Sequence, residues 1–178
     1  LHRFFFALKP DQITARRTFA FAERELGAKG LLTPERYHVT LAITDDRPSM
    51  PIDLVNALLR AGDAVEAEPF ALCLDRMSIN YGTIALRPSR VLRQLRALQA
   101  AIATAMAAQG VPMREEWSFN PHETLSYRKT VTPLSKAIPP FNWAVDEFVL
   151  VHSYVGAHRH ETIGRWALRA DDRQGLLL

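Results

Sequence analysis

Two short segments carry the same pattern of reactive side chains. Tyr37-His38-Val39-Thr40-Leu41-Ala42 and Pro121-His122-Glu123-Thr124-Leu125-Ser126 both contain His-x-Thr-Leu, and the two histidines lie 84 positions apart in a chain of 178 residues. Both segments read as strands, in which alternate side chains share a face, so His38 points with Thr40 and His122 with Thr124. If the strands lie side by side about a pseudo-twofold axis, two imidazoles and two hydroxyls converge on one groove. That set suits acid–base chemistry on a phosphodiester. A neutral imidazole takes a proton from the nucleophile, and an imidazolium gives one to the leaving oxygen. Threonine hydroxyls hydrogen-bond the non-bridging oxygens, and no metal or other cofactor is required.

One His-x-Thr alone carries little weight, because six histidines and eleven threonines in 178 residues give about 0.4 matches by chance. The chain has a third match, His160-Glu161-Thr162-Ile163, after the turn-like Gly156-Ala157-His158-Arg159. The pair at 38 and 122 is preferred, because each has Leu at the fourth position and lies in a similar context. His158 and His160 flank a single residue, but no second cluster of Cys, Asp or Glu accompanies them, so no metal site is expected.

The elements that must hold the pair are legible in outline. Phe4 to Leu8 is an apolar run closed by Pro10, hence a central strand. Asp11 is placed to cap a helix running to about Lys29, with Gly30 just beyond it. Tyr37 to Thr44 predicts a strand and Pro51 to Val65 a helix. Phe70 to Ile79 and Thr83 to Leu86 predict a strand pair around Asn80-Tyr81-Gly82. A further helix is expected from an N-cap at Ser89 to Gly110, with Val91, Leu95, Leu98, Ile102 and Met106 on one face. Strands are expected near Glu116–Ser118, Pro121–Lys129, Trp143–Tyr154 and Glu161–Arg169. The proline-punctuated stretch from Thr132 to Pro140 predicts a loop or a short helical turn.

Composition sets the outer bounds. The chain is 48% hydrophobic and 23% charged, an ordinary globular mixture, and its size allows roughly 70% of the unfolded surface to be buried. No apolar run approaches a membrane span. Cys73 is the single cysteine, so no internal disulfide can form, and a reducing cytoplasm is the expected compartment. A net charge of +3 does not argue for duplex DNA, although four lysines leave 18 arginines among the 22 cations, and arginine is the better planar ligand for phosphate.

At these residues the chain resembles the 2H phosphoesterase superfamily, named for two such histidine motifs, and within it the bacterial RNA 2′,3′-cyclic phosphodiesterases, also called 2′–5′ RNA ligases. The resemblance covers nearly the whole chain. Arg3 to Leu8 looks like that family's first strand, Arg36 to Leu41 its first motif, Phe119 to Leu125 its second, and Phe148 to Ser153 with Gly164 to Leu168 its last two strands. His160 falls where the family often has Tyr. The resemblance implies an α+β, bilobal fold: two pseudo-symmetric lobes, each a small antiparallel sheet with flanking helices, interleaved in one domain over residues 1–178, with the active groove between the sheets. It implies that His38 and His122 are the acid–base pair and that Thr40 and Thr124 bind phosphate. The implied reaction is hydrolysis of a 2′,3′-cyclic phosphate to a 2′-phosphate, with ATP-independent 2′–5′ joining of RNA ends as the reverse-type reaction.

Three departures from the family pattern bear on the site. Glu123 replaces an apolar residue and by alternation faces the helix layer, so it is expected to be paired or near a sheet edge. The basic residue usual five positions after the second histidine is Tyr127 here. Alternation instead places Ser126 and Arg128 on the face of His122 and Thr124, within reach of phosphate. No strongly basic groove is evident in the sequence. Phe5 and Tyr81, with Trp117 and Tyr127, are candidates to stack on a base. The expected partner is an RNA end or a cyclic nucleotide bound by a monomer. The rival readings are a related enzyme for a small cyclic nucleotide such as ADP-ribose cyclic phosphate, and a catalytically silent RNA-binding module.

Overall fold

The computed structural model describes residues 1–170. Its first strand, β1 (His2–Leu8), is buried on both faces. Phe4, Phe6 and Leu8 enter the main core, while Phe5 and Ala7 pack with Val149 and Val151 on the opposite face. This two-sided burial explains why Phe4–Leu8 is uniformly apolar rather than alternating. Helix α1 (Gln12–Leu26) follows; the Asp11 side chain accepts from the Thr14 N–H at 2.8 Å, and Gly27 ends the helix at φ 73°. Then come β2 (Val39–Ile43), α2 (Ile52–Asp63), β3 (Phe70–Ile79), β4 (Ile84–Arg87), α3 (Arg93–Ala108), β5 (Glu123–Ser126), β6 (Leu134–Val145), β7 (Glu147–Tyr154) and β8 (Arg159–Ala167).

The strands form one antiparallel sheet in the order β6-β3-β4-β5-β2-β1-β7-β8. The fold is therefore α+β. The strands make a single ladder rather than the two separate sheets expected, yet its two four-stranded halves meet through only one register pair, Val39↔Glu123. Each half builds its central pairing alike. In one, Phe6↔Ala42 and Ala7↔Thr40 flank an irregularity; in the other, Ile84↔Ser126 and Ala85↔Thr124 do. Helices α2 and α3 pack against each other, α3 also touches β2 and β3, and α2 touches β7 and β8. None of the described helices is long and apolar enough to cross a membrane.

Three local expectations are corrected. The stretch from Thr132 to Pro140 belongs largely to the edge strand β6, not to a loop. Pro139 and Pro140 fall where the register jumps from Leu74↔Phe141 to Arg76↔Ala137, so the two residues that lack an N–H occupy a bulge on an edge, where no ladder bond is demanded of them. Ser89 does not cap α3, whose N-cap is Leu92; its N–H and hydroxyl both bond the Asp75 carboxylate at 2.6 Å. The Glu116–Ser118 segment is not a strand, and Glu116 takes a left-handed φ of 62°.

Trp166 of β8 joins the helix layer to the outer half of the sheet. Its indole stacks on Phe148 at 5.2 Å, and its N–H donates to Asp63 at 2.7 Å. The ring lies so close to Gly62 of α2 and to Gly164 that a Cβ at either would collide with it. Gly62→Ala and Gly164→Ala are each expected to destabilise the protein by about 1–3 kcal/mol through overpacking, read as a lowered denaturation midpoint. An unchanged midpoint in both would mean that the indole moves aside freely.

Candidate active site

The register at the centre of the sheet brings the two motifs together. With Val39 opposite Glu123, the antiparallel count places His38 opposite Thr124 and Thr40 opposite His122. Val39 is fully buried in the core, as is Leu41, so the alternate residues His38 and Thr40 face the other side of the sheet. Directly opposed side chains in such a pair have Cβ atoms about 4.5–5.5 Å apart. All four polar side chains therefore share one face at the seam between the halves.

Both imidazoles are held in the same way. His38 Nδ1 lies 2.6 Å from the Arg36 carbonyl, and His122 Nδ1 lies 2.7 Å from the Asn120 carbonyl. A carbonyl only accepts, so Nδ1 is the donor in each ring, and the bond fixes the tautomer. Each Nε2 is left with a lone pair when the ring is neutral and with a proton to give when it is charged.

The surroundings disfavour charge on these rings. Burial pushes His38 down to about 4, and the charges of His160, Lys9 and His122 act in the same direction against the Arg36 carbonyl. Burial also lowers His122, helped by Arg87 and opposed by the Asn120 carbonyl. An arriving phosphate anion reverses part of this effect, because opposite charge favours the imidazolium.

The third His-x-Thr histidine also reaches the site. His160 meets His38 edge-on with ring centroids 5.6 Å apart, and Phe5 packs on both, at 4.8 Å from His38 and 5.5 Å from His160. Burial pushes His160 down to about 4, with Arg36, Lys9 and Arg3 adding to the shift. The pairing Ser153↔His160, together with Arg3↔Ser153, carries this residue onto the face of Arg3 and Phe5. Motif form alone does not exclude His160, and three-strand adjacency, invisible in the sequence, brings it beside the preferred pair.

Other expected contacts fall elsewhere. Ser126 is fully buried, donates to the Gly30 carbonyl at 2.7 Å and accepts from the Arg128 N–H at 3.1 Å, so it tethers a loop instead of facing substrate. Arg128 lies beyond the end of β5. Its guanidinium donates to the Leu26 carbonyl at 2.8 Å and to the Lys29 carbonyl, clasping the C-terminal end of α1 rather than reaching for a phosphate. The alternation that grouped both with His122 fails because the β4–β5 register shifts just past Thr124 and the strand stops at Ser126. Phe5 is only 4% exposed and supports His38 rather than offering an open stacking surface. Tyr81 stands exposed in the β3–β4 turn, where its carbonyl accepts from the Thr130 N–H at 3.0 Å.

Two cations escaped the sequence reading. Lys9 follows β1 and acts on His38, while Arg87 ends β4 and acts on His122. They occupy matching positions, since Leu8 pairs with Val39 and Leu86 with Glu123. The signal was present: Phe6-Ala7-Leu8-Lys9 and Ile84-Ala85-Leu86-Arg87 are a second internal repeat.

A profile of the 2′-5′ RNA ligase superfamily matches residues 10–157. The chain belongs to that superfamily. It is an enzyme of the 2H phosphoesterase class, in a family of cyclic phosphodiesterases and ligases. Solved structures share the fold. Escherichia coli LigT complexed with 3′-AMP is 24% identical, with 95% of this chain and 98% of that one covered and a TM-score of 0.76. A crystal structure described as a phosphoesterase is 24% identical, covering 96% of this chain and 100% of the other at a TM-score of 0.75. The MHV ns2 PDE domain is 15% identical, covering 82% and 98% at a TM-score of 0.52. A search of curated proteins finds no match.

On the core side of the seam, Glu123 is neither paired nor at an edge, contrary to expectation. It is 1% exposed, and neither carboxylate oxygen has a hydrogen-bond partner; the buried Tyr37 hydroxyl also lacks one. Burial pushes Glu123 up to about 8, so it is protonated at neutral pH. The folded state then holds a proton that the unfolded chain releases near pH 4.5. The contribution of this carboxyl to stability falls as pH rises from about 4.5 to about 8, by on the order of 3 kcal/mol at pH 7. Glu123→Gln should remove that slope in urea unfolding between pH 5 and 8 and be the more stable protein at pH 8. Parallel slopes in the two proteins would contradict the assignment.

Proposed function

We propose that the protein is a metal-independent cyclic phosphodiesterase that opens 2′,3′-cyclic phosphates at the ends of RNA or nucleotides to give 2′-phosphates. The observation that carries this reading is the pair of imidazoles, each anchored through Nδ1 to a carbonyl two residues earlier, on one face of two adjoining strands.

In the hydrolytic direction one Nε2 takes a proton from water as the water oxygen bonds to phosphorus. The other ring, as imidazolium, gives its proton to the 3′-oxygen as the P–O3′ bond breaks, leaving the phosphate on O2′. Thr40 and Thr124 donate to the non-bridging oxygens, where negative charge grows in the transition state. Replacing water with an RNA 5′-hydroxyl yields a 2′–5′ linkage by the same bond changes, which is why joining needs no ATP. Lys9 and Arg87 add positive potential on either side of the reacting group.

Turnover of an oligonucleotide ending in a 2′,3′-cyclic phosphate should persist in EDTA. His38→Ala and His122→Ala are each expected to lose about 10²–10⁴-fold in kcat. Full activity in either variant, or loss in EDTA, would refute the mechanism. A crippling His160→Ala beside a mild His122→Ala would reassign the pair.

The pH profile follows from the two depressed imidazoles. The productive form has one ring neutral and one charged, so kcat/KM in the free enzyme peaks between the two values. One is about 4 and the other lies below the ordinary 6.5, so the maximum should fall below pH 6.5. A maximum above pH 7 would show that the rings are not shielded as described.

A further inference from the structure

Arg36, whose carbonyl holds His38, lines a cavity of about 640 Å³, a size that suits one nucleotide. It has an apolar floor at Leu26 and Leu32, cations at Lys29, Arg36 and Arg128, and Tyr127 and His158 on its wall; no acidic side chain lines it. We propose that this cavity is a second subsite, which binds the phosphodiester and base next to the reacting end, so that the enzyme acts on an RNA chain end in preference to a mononucleotide. The proposal rests on the phosphodiesterase reading above and extends it to the length of the substrate.

Arg36 is the central observation. Its carbonyl anchors His38, while its side chain lines the cavity. Its guanidinium makes no ion pair among the described residues. Nε is buried without a hydrogen-bond partner, and Nη1 meets only His158 Nδ1, at 3.4 Å. A planar donor in that state lacks the anion its geometry fits, and phosphate is the group it binds bidentately. Arg3, by contrast, is engaged by Asp46 at 2.7 Å, and Arg128 is spent on backbone carbonyls.

The partner of Arg36 is held at a backbone cost. His158 adopts φ 53° in the β7–β8 turn, a left-handed conformation uncommon outside glycine, and this turns an imidazole toward Arg36. Tyr127 is 61% exposed on the cavity wall. An exposed phenol over an apolar floor suits a stacked base, and the unpaired guanidinium suits its phosphate. A small substrate with a single reacting phosphate uses neither.

The test compares a cyclic mononucleotide with a tetraribonucleotide ending in a 2′,3′-cyclic phosphate. The wild-type enzyme should prefer the tetranucleotide at least 10-fold in kcat/KM. That preference should fall about 10-fold in Arg36→Met and several-fold in Tyr127→Ala, through KM, with partial recovery in Arg36→Lys. A wild-type enzyme that treats both substrates alike, or variants that keep the full preference, would overturn the subsite. If neither substrate turns over, the phosphodiesterase reading fails. The subsite is then judged by fluorescence polarisation with a 3′-phosphorylated tetraribonucleotide. Binding weakened by both variants and by salt supports it, and binding indifferent to them overturns it.

Discussion

The contact on which the site depends is the single register pair that joins the halves of the sheet, Val39↔Glu123. Side chains alternate along a strand, so a slip of one residue at this pair would turn the histidines into the core and Val39 and Glu123 out of it. One pair could not fix that register unaided. It is fixed by what each half buries, Leu8, Val39 and Leu41 on one side and Leu86 and Leu125 on the other, all fully sequestered. The apolar faces thus set the position of the polar ones. Chemistry on one side of the sheet is specified by packing on the other.

That division explains what the sequence shows and what it hides. The His-x-Thr pair is legible because it is local, and its strand assignment follows from alternation. The helix over Gln12–Leu26 was legible for the same reason, with Asp11 capping it as expected. The second repeat, Phe-Ala-Leu-Lys against Ile-Ala-Leu-Arg, was equally local. Its value appears only once the strands pair and set Lys9 and Arg87 at matching positions about the seam. His160 lay beyond reach for a different reason: its proximity to His38 passes through β7 and β1 and depends on registers no local pattern encodes. Arg128 leaves the face of His122 because simple alternation does not survive a bulge and a strand end. Pro139 and Pro140 misled in the opposite sense, since prolines end a central strand but are tolerated on an edge.

The groove's electrostatics follow from the same geometry. The cations that converge there come from separated parts of the chain: Arg3 from β1, Lys9 just after it, Arg36 from the turn before β2, and Arg87 from β4. A net charge of +3 gives no hint of their concentration. Their field and the burial of the rings keep the imidazoles neutral in the empty site, and a phosphate anion relieves both effects on binding. Proton affinity and substrate binding are thereby coupled. The buried Glu123 carboxyl beneath the seam does not join that field at neutral pH because it stays protonated.

The central claim is that two imidazoles of the same tautomer face one phosphate. Nitrogen-15 NMR of the histidine side chains measures this directly. Without ligand, His38 and His122 should both show a protonated Nδ1 and titrate below the ordinary imidazole range. Adding inorganic phosphate should raise the apparent pKa of both rings together. A protonated Nε2 in either ring, or a phosphate response confined to one of them, would contradict the account.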